Sequence, residues 1–182
     1  MSGSITVPAA QAIVQGFDPR GDDLAAKSQE LTVALLLMTP DPFSRHQFIP
    51  GHVTCTALVR HPSRDAVLVM YHHRLNRWLL PGGHVEKSDA TLADAAAREA
   101  FEETRIAIDR SLAPVLAGID VHAIPRKRND PMHLHHDLIW LFRALSEEIA
   151  ETDEAPRVAW AEKTDRGRLA LAESICRSIA RM

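Results

Sequence analysis

At 182 residues the chain is long enough to bury one core with a short terminal addition, and 46% hydrophobic against 25% charged residues is the balance of an ordinary water-soluble domain. A net charge of −3 exerts no general pull on nucleic acid or anionic membrane, and an acidic site needs a metal before it accepts a phosphorylated ligand. Cys55 and Cys176 make neither a disulfide framework nor a C-x-x-C pair, no leader pattern opens the chain, and the longest apolar run, Val33 to Met38, is too short to span a bilayer, so a cytoplasmic protein without a membrane partner is expected.

Residues 1 to about 20 are small and polar, contain Pro8, Gly16 and Pro19, and read as a loose lead-in. Asp22 to Met38 has the periodicity of an amphipathic helix, capped by Asp22 or Asp23, with Leu24, Leu31, Leu35 and Met38 toward one stripe. Such a helix would cover the domain or form a homodimer contact. Pro40, Pro42 and Pro50 mark a loop. Strands are predicted over His52–Val59, Ala66–His72 and Arg77–Leu80, then over Ala113–Ile124, Met132–Leu145 and Arg157–Ala161. Glu147 to Glu154 is an acidic, exposed run, and Gly167–Met182 a C-terminal helix. Strands wrapped around one central helix, with another helix at the end, make an α+β sandwich with a mixed sheet.

The central helix is the informative one. It follows the turn Pro81-Gly82-Gly83 and runs from about Asp89 to Thr104, with Ser88 or Asp89 as cap and no proline or glycine inside it. At about 100° per residue, Glu99, Glu102 and Glu103 share one face, while Ala93, Ala97, Ala100 and Phe101 lie elsewhere and are expected to pack on a sheet. Three carboxylates on one face repel one another; Arg98 offsets part of that as the i,i+4 partner of Glu102, and a divalent cation would offset the rest. Oxygen-rich donor sets suit Mg²⁺ or Mn²⁺. The plainer reading of E-x-x-E-E alone is a solvated acidic face; the upstream glycine turn, with Glu86 between, favours the metal.

This stretch resembles the Nudix box, G-x5-E-x7-R-E-U-x-E-E-x-G-U, where U is a bulky aliphatic. Gly83, Arg98, Glu99, Glu102, Glu103 and Ile106 match it. Asp89 stands where the first Glu belongs and one residue too far from Arg98, Ala100 fills a bulky position, and Arg105 replaces the last glycine, a residue that usually supplies a left-handed helix exit. Further phrases, P-G-H-V-T-C-T-A, H-H-R-L-N-R-W-L-L-P-G-G-H-V-E and H-L-H-H-D-L, are similar to a histidine-rich branch of the family with an N-terminal helix, so that the resemblance spans roughly residues 22–182. It implies a Nudix-type α/β/α sandwich with a mixed central sheet over residues 46–182, preceded by an extension over 1–45 with one helix.

The resemblance also implies a function: Mg²⁺- or Mn²⁺-dependent cleavage of the P–O–P bond in a nucleoside diphosphate linked to another moiety. Glu99 and Glu103 would be principal metal ligands, Glu102 a further ligand or the base, the Gly82 carbonyl an additional ligand, and Arg98 the residue that orients the carboxylates. Glu86 and Asp89 rank behind them. The alternative is a Nudix-like domain that binds a nucleotide or sugar nucleotide without hydrolysing it; such domains usually lose box carboxylates, and here R-E-x-x-E-E is complete.

Ten histidines are many for this length. His133, His135 and Asp137 alternate along one predicted strand face and His136 takes the other. H-x-H on a strand can bind zinc if His52, His72, His73 or His84 comes close, but pocket-lining polar groups are the commoner case. An intermediate reading places histidines, His84 and His135 among them, against substrate phosphates, with Asp137 a possible distal base. Arg126-Lys127-Arg128 reads as a solvated loop more readily than as an RNA contact, since no aromatic residues interleave it, and Arg126 could instead clamp a distal phosphate.

Overall fold

A computed structural model describes residues 5–127, 130–162 and 164–181. Two helices open the chain: α1, Val7–Gln15, and α2, Asp23–Met38. Seven strands follow among the described residues: β1 Gly51–Arg60, β2 Ala66–His72, β3 Arg77–Leu79, β4 Gly82–His84, β5 Val115–Ile124, β6 His133–Arg143 and β7 Val158–Glu162. The central helix α3, Leu92–Thr104, lies between β4 and β5, and the short α4, Asp165–Arg168, and α5, Glu173–Ala180, end the chain.

The sheet is mixed. β1 and β6 run parallel through its centre, from Gly51 beside Leu134 to Arg60 beside Arg143, and β5 is antiparallel on the far side of β6. On its other side β1 meets β2 near Arg60 and β4 through Thr54 to Thr56, while β2 also carries β3 and β7. Alternation along β1 then sorts the core. Val53, Cys55, Ala57 and Val59 face a layer built from α1, α2 and the alanines of α3. Leu58, with Ile139 of β6, faces Leu171, Ile175 and Ile179 around α5. Helices therefore cover both faces, as the α/β/α reading required. No helix of the described residues is long and apolar enough to cross a membrane.

Several boundaries differ from expectation. The lead-in holds a helix, α1, so residues 1–45 carry two helices, not one: the Thr6 hydroxyl accepts from the Ala9 N–H, and Pro8 sits in the first turn, where its missing N–H is harmless. Ala10 and Val14 join the core. α2 has its Asp22 cap as expected, but its buried face is Ala25, Ser28, Thr32, Leu35 and Leu36; of the anticipated stripe only Leu35 is inside, and Leu24, Leu31 and Met38 are exposed. The reason is polar packing. The Thr32 hydroxyl donates to the Ser28 carbonyl and meets His136 Nδ1 at 3.1 Å, and Ser28 Oγ accepts from the Val121 N–H at 3.2 Å. α3 begins after Thr91, whose hydroxyl accepts from the Asp94 N–H, so neither Ser88 nor Asp89 is the cap. Phe101 is exposed, not packed on the sheet. Gly167–Met182 divides into α4 and α5.

Candidate active site

β4 delivers the glycine turn alongside β1, and α3 crosses behind it. The Gly82 N–H donates to Glu103 Oε2 at 2.9 Å, tying turn to helix. A Cβ on Gly83 would fall 2.6 Å from Glu99 Oε1, and one on Gly82 would fall 2.7 Å from Thr56 Cα, so both glycines are dictated by close approach. Glu99 and Glu103 lie four residues apart on the helix face that meets this turn.

Arg98 is the hub. Its Nε and Nη2 donate to both oxygens of Asp89, at 3.0 and 3.2 Å, its Nη1 to Glu99 at 2.9 Å and Glu102 at 3.1 Å, and its Nη2 also to the His84 carbonyl at 2.8 Å. Burial disfavours its charge, but the bonds from Asp89 and Glu99 outweigh that and hold its pKa above the ordinary value. Asp89 is thus the buried bidentate partner of Arg98, and one of its oxygens also accepts the Glu86 N–H at 2.8 Å. The displaced box position has become a fixture for the arginine. Glu86 itself is exposed, and among the described residues its carboxylate reaches only Ser88, at 3.4 Å.

The carboxylates differ in their surroundings. Glu103 is buried, and burial first, then Glu99, Glu154 and Glu102, pushes its pKa up to about 8 against the Gly82 hydrogen bond. Glu99 is raised by burial too, with Arg98 opposing and Glu102 and Glu154 adding to it. Glu102 has half its side chain in solvent. Glu154 was missed by sequence reasoning. The acidic run 147–154 was visible, but its destination was not: Ala150 N–H donates to the Thr104 carbonyl and the Thr152 hydroxyl to the Glu103 carbonyl, which brings the run over the end of α3.

Asp89, Glu99 and Glu102 therefore share a single guanidinium whose donors are already engaged, Glu154 adds negative charge near Glu99 and Glu103, and Glu103 has no cationic partner among the described residues. A hard divalent cation fits this all-oxygen donor set, and burial of an unpaired carboxylate is the cost that binding one would remove.

α3 ends on Arg105, which adopts the left-handed conformation, φ 58°, that glycine usually fills, its guanidinium lying 5.5 Å from the Phe101 ring centre.

The histidines gather on the sheet face opposite α3. His52 stands beside His135 in the parallel register, and its ring centre lies 5.0 Å from His133, 4.8 Å from His135 and 5.1 Å from His84. His122, opposite His135 on β5, borders the group. His72 and His73 stay apart; His72 accepts the Leu75 N–H in a turn. Burial first, then neighbouring histidines, lowers the pKa of His135 to about 2 and of His84 to about 4. His136, on the α2 side, is lowered to about 4 for the same reasons. His84 links the two regions, with its carbonyl on Arg98 and its ring among the histidines. Asp137 is half-buried and accepts the hydroxyls of Thr54 at 3.0 Å and Thr56 at 2.8 Å, which engages it within the sheet.

Of the residues singled out as substrate contacts, His84 and His135 are brought together, while Arg126 is exposed on the loop leaving β5 with no ion pair or hydrogen bond among the described residues. Arg128 lies outside the described residues. A cleft of about 570 Å³ at the far end of β1 and β6, around Arg60, Arg64, Asp109 and Arg143, holds none of the predicted residues.

Residues 50–173 match the family described as the NUDIX domain. No curated protein matches the sequence. Among solved structures, the chain is similar in fold to a NUDIX-family hydrolase from Clostridium perfringens, at TM-score 0.50 and 17% identity over 76% of this chain and 96% of that one. It is similar also to the Nudix hydrolase RenU from M. smegmatis, at TM-score 0.51 and 18% identity over 71% and 82%. The E. coli dihydroneopterin triphosphate pyrophosphohydrolase aligns at TM-score 0.52 and 16% identity over 71% and 93%. A box whose glycines, arginine and glutamates interlock on the matching segment completes the case: the chain belongs to the Nudix hydrolase family, whose members act on nucleoside diphosphate derivatives.

Proposed function

We propose that the protein is a divalent-metal-dependent pyrophosphohydrolase that cleaves the P–O–P bond of a nucleoside diphosphate linked to another moiety. The observation that carries this reading is the unpaired, buried Glu103 held against the Gly82 N–H and beside Glu99, in an all-oxygen site whose one guanidinium is already engaged. Glu99, Glu103 and the Gly82 carbonyl would hold Mg²⁺ or Mn²⁺. When bound, such a cation neutralises charge on phosphoryl oxygens and acidifies water.

The chain's own groups set up the rest. Arg98, locked by Asp89, fixes the orientation of Glu99 and Glu102. Glu102 is the group we assign as general base: its side chain is 50% exposed against 15% for Glu99, so it meets incoming water without displacing packed atoms. His84, whose carbonyl accepts from Arg98, would contact the substrate next to the box, and Arg126, exposed beyond β5, would meet a distal phosphate from solvent.

The test is release of phosphate or nucleotide with Mg²⁺ or Mn²⁺ across dinucleoside polyphosphates, nucleotide sugars, dinucleotides and nucleoside triphosphates. Metal-dependent release from one diphosphate-linked class is expected, and Glu102→Gln should lower kcat by at least about 100-fold with KM little changed. Tight binding of one class without release would overturn the reading in favour of a non-hydrolytic binding domain.

A further inference from the structure

We propose that His52, His133 and His135 form a second cation site, separate from the carboxylates, selective for a borderline transition-metal ion of which Zn²⁺ is the first candidate. One imidazole nitrogen from each of the three lies within 4.8 Å of the others. Two adjacent parallel strands supply them: His52 and His135 are register partners, and His133 lies two residues back on the same face of β6.

Hydrogen bonds set the tautomers. His52 Nδ1 is 3.0 Å from the Gln47 carbonyl and His133 Nδ1 is 2.9 Å from the Pro131 carbonyl. A carbonyl only accepts, so each Nδ1 carries the proton and each Nε2 presents a lone pair. Anchoring a ligand imidazole through its other nitrogen in this way is what orients histidines at metal sites. His52 is 1% exposed, and its Nε2 has no hydrogen-bond partner among the described residues. A buried acceptor left unpaired costs about 1–3 kcal/mol, which a bound cation would remove.

The same tautomers argue against an anion, which needs N–H donors where this cluster offers lone pairs. The absence of carboxylate ligands selects the metal class: imidazole suits Zn²⁺, Cu²⁺ or Ni²⁺ and not Mg²⁺ or Ca²⁺. Asp137, the carboxylate nearest along β6, is engaged by Thr54 and Thr56. Tetrahedral Zn²⁺ with Zn–N of about 2.0–2.1 Å would draw the nitrogens to roughly 3.3 Å apart. Three protein ligands leave a fourth position for water or a substrate oxygen, with His84 at its border. Through it His135 would act on substrate by way of the cation.

The test uses full-length protein stripped of metal by a chelator, in wild-type form and with Glu99→Gln and Glu103→Gln combined to disable the carboxylate site. Equilibrium dialysis with Zn²⁺ and elemental analysis should find one tightly held ion per chain in both. Co²⁺ in its place should give the intense visible absorption of a tetrahedral nitrogen site, abolished by adding Zn²⁺. His133→Gln and His135→Gln, checked for folding by circular dichroism, should each weaken Zn²⁺ by more than about 100-fold, while His122→Ala retains it. Loss of tight Zn²⁺ binding with the glutamate substitutions, or unchanged affinity in both folded histidine variants, would overturn the proposal. So would inorganic phosphate, in place of Zn²⁺, perturbing these histidines in NMR spectra.

Discussion

The two faces of the β1–β6 sheet solve the same problem in opposite ways. On the α3 side, carboxylates are crowded and partly buried; on the other, imidazoles are. Burial drives both toward neutrality, lifting Glu103 to about 8 and lowering His84 to about 4 and His135 to about 2. On the carboxylate face the counter-charge is Arg98, and that one guanidinium divides its bonds among Asp89, Glu99 and Glu102; on the histidine face Asp120 pairs with His122 at 3.0 Å. His52, His84 and His135 need no such partner, since neutral imidazoles are stable in a low-dielectric site. The lesson is that one face stores charge it must share with a cation, whereas the other stores lone pairs.

The sharpest way to break this contrast is to remove the counter-charge. Arg98→Met leaves Asp89, whose side chain is 4% exposed, without its ion-pair partner, so thermal unfolding should report a loss of about 3–5 kcal/mol. Adding Asp89→Asn should recover much of it, and failure to do so would deny that the pair is coupled. Gly83→Ala should separate activity from stability. Its Cβ would press on the Glu99 carboxylate, a side-chain end that must shift and not the backbone, so turnover should fall by at least about tenfold while the melting temperature falls less than for Arg98→Met.

The pH dependence of the metal-free protein distinguishes the faces directly. Glu103, raised in the fold, is protonated up to about pH 8 while the unfolded chain ionises near 4.5, so its contribution declines as pH rises between those values. His84 and His136 refuse protons down to about pH 4 that the unfolded chain takes up near 6.5, so their contribution declines as pH falls through that window. Below 6.5 the five lowered histidines, His52, His72, His84, His135 and His136, outnumber the raised carboxyls of Glu99, Glu103 and Asp137, so stability should peak near that pH and fall on both sides. Excess Mg²⁺, or Glu103→Gln, should flatten only the alkaline side; calorimetry across this range reads both limbs. The smallest effect lies at the helix exit. Arg105→Gly relieves a left-handed arginine but forfeits its contact with Phe101, for a net gain of about 0.5 kcal/mol by denaturant titration.

Much of this was open to reading from residues alone. Local spacing placed Arg98, Glu99, Glu102 and Glu103 on one helical turn and Gly82 and Gly83 before it, and alternation put His133 and His135 on one strand face, because helix and strand periods depend on the chain's own geometry. The strand order, the partners of α2 and the role of Asp89 depend on what lies across a contact. Asp89 could not be told from a displaced box carboxylate until Arg98 folded back onto both its oxygens. Ser28 and Thr32 could not be told from solvent-facing residues until His136 and the β5 backbone arrived beneath them.

Glu154 and His52 mark the same limit. Their neighbours at the two sites lie some thirty residues or more away in sequence, and no periodicity carries information over that span. The sequence by itself determined the local chemistry, which groups can bind a hard cation and which a softer one. Tertiary structure decided where each group is desolvated and whom it meets, because burial and pairing are properties of the assembled sheet and not of any segment in it.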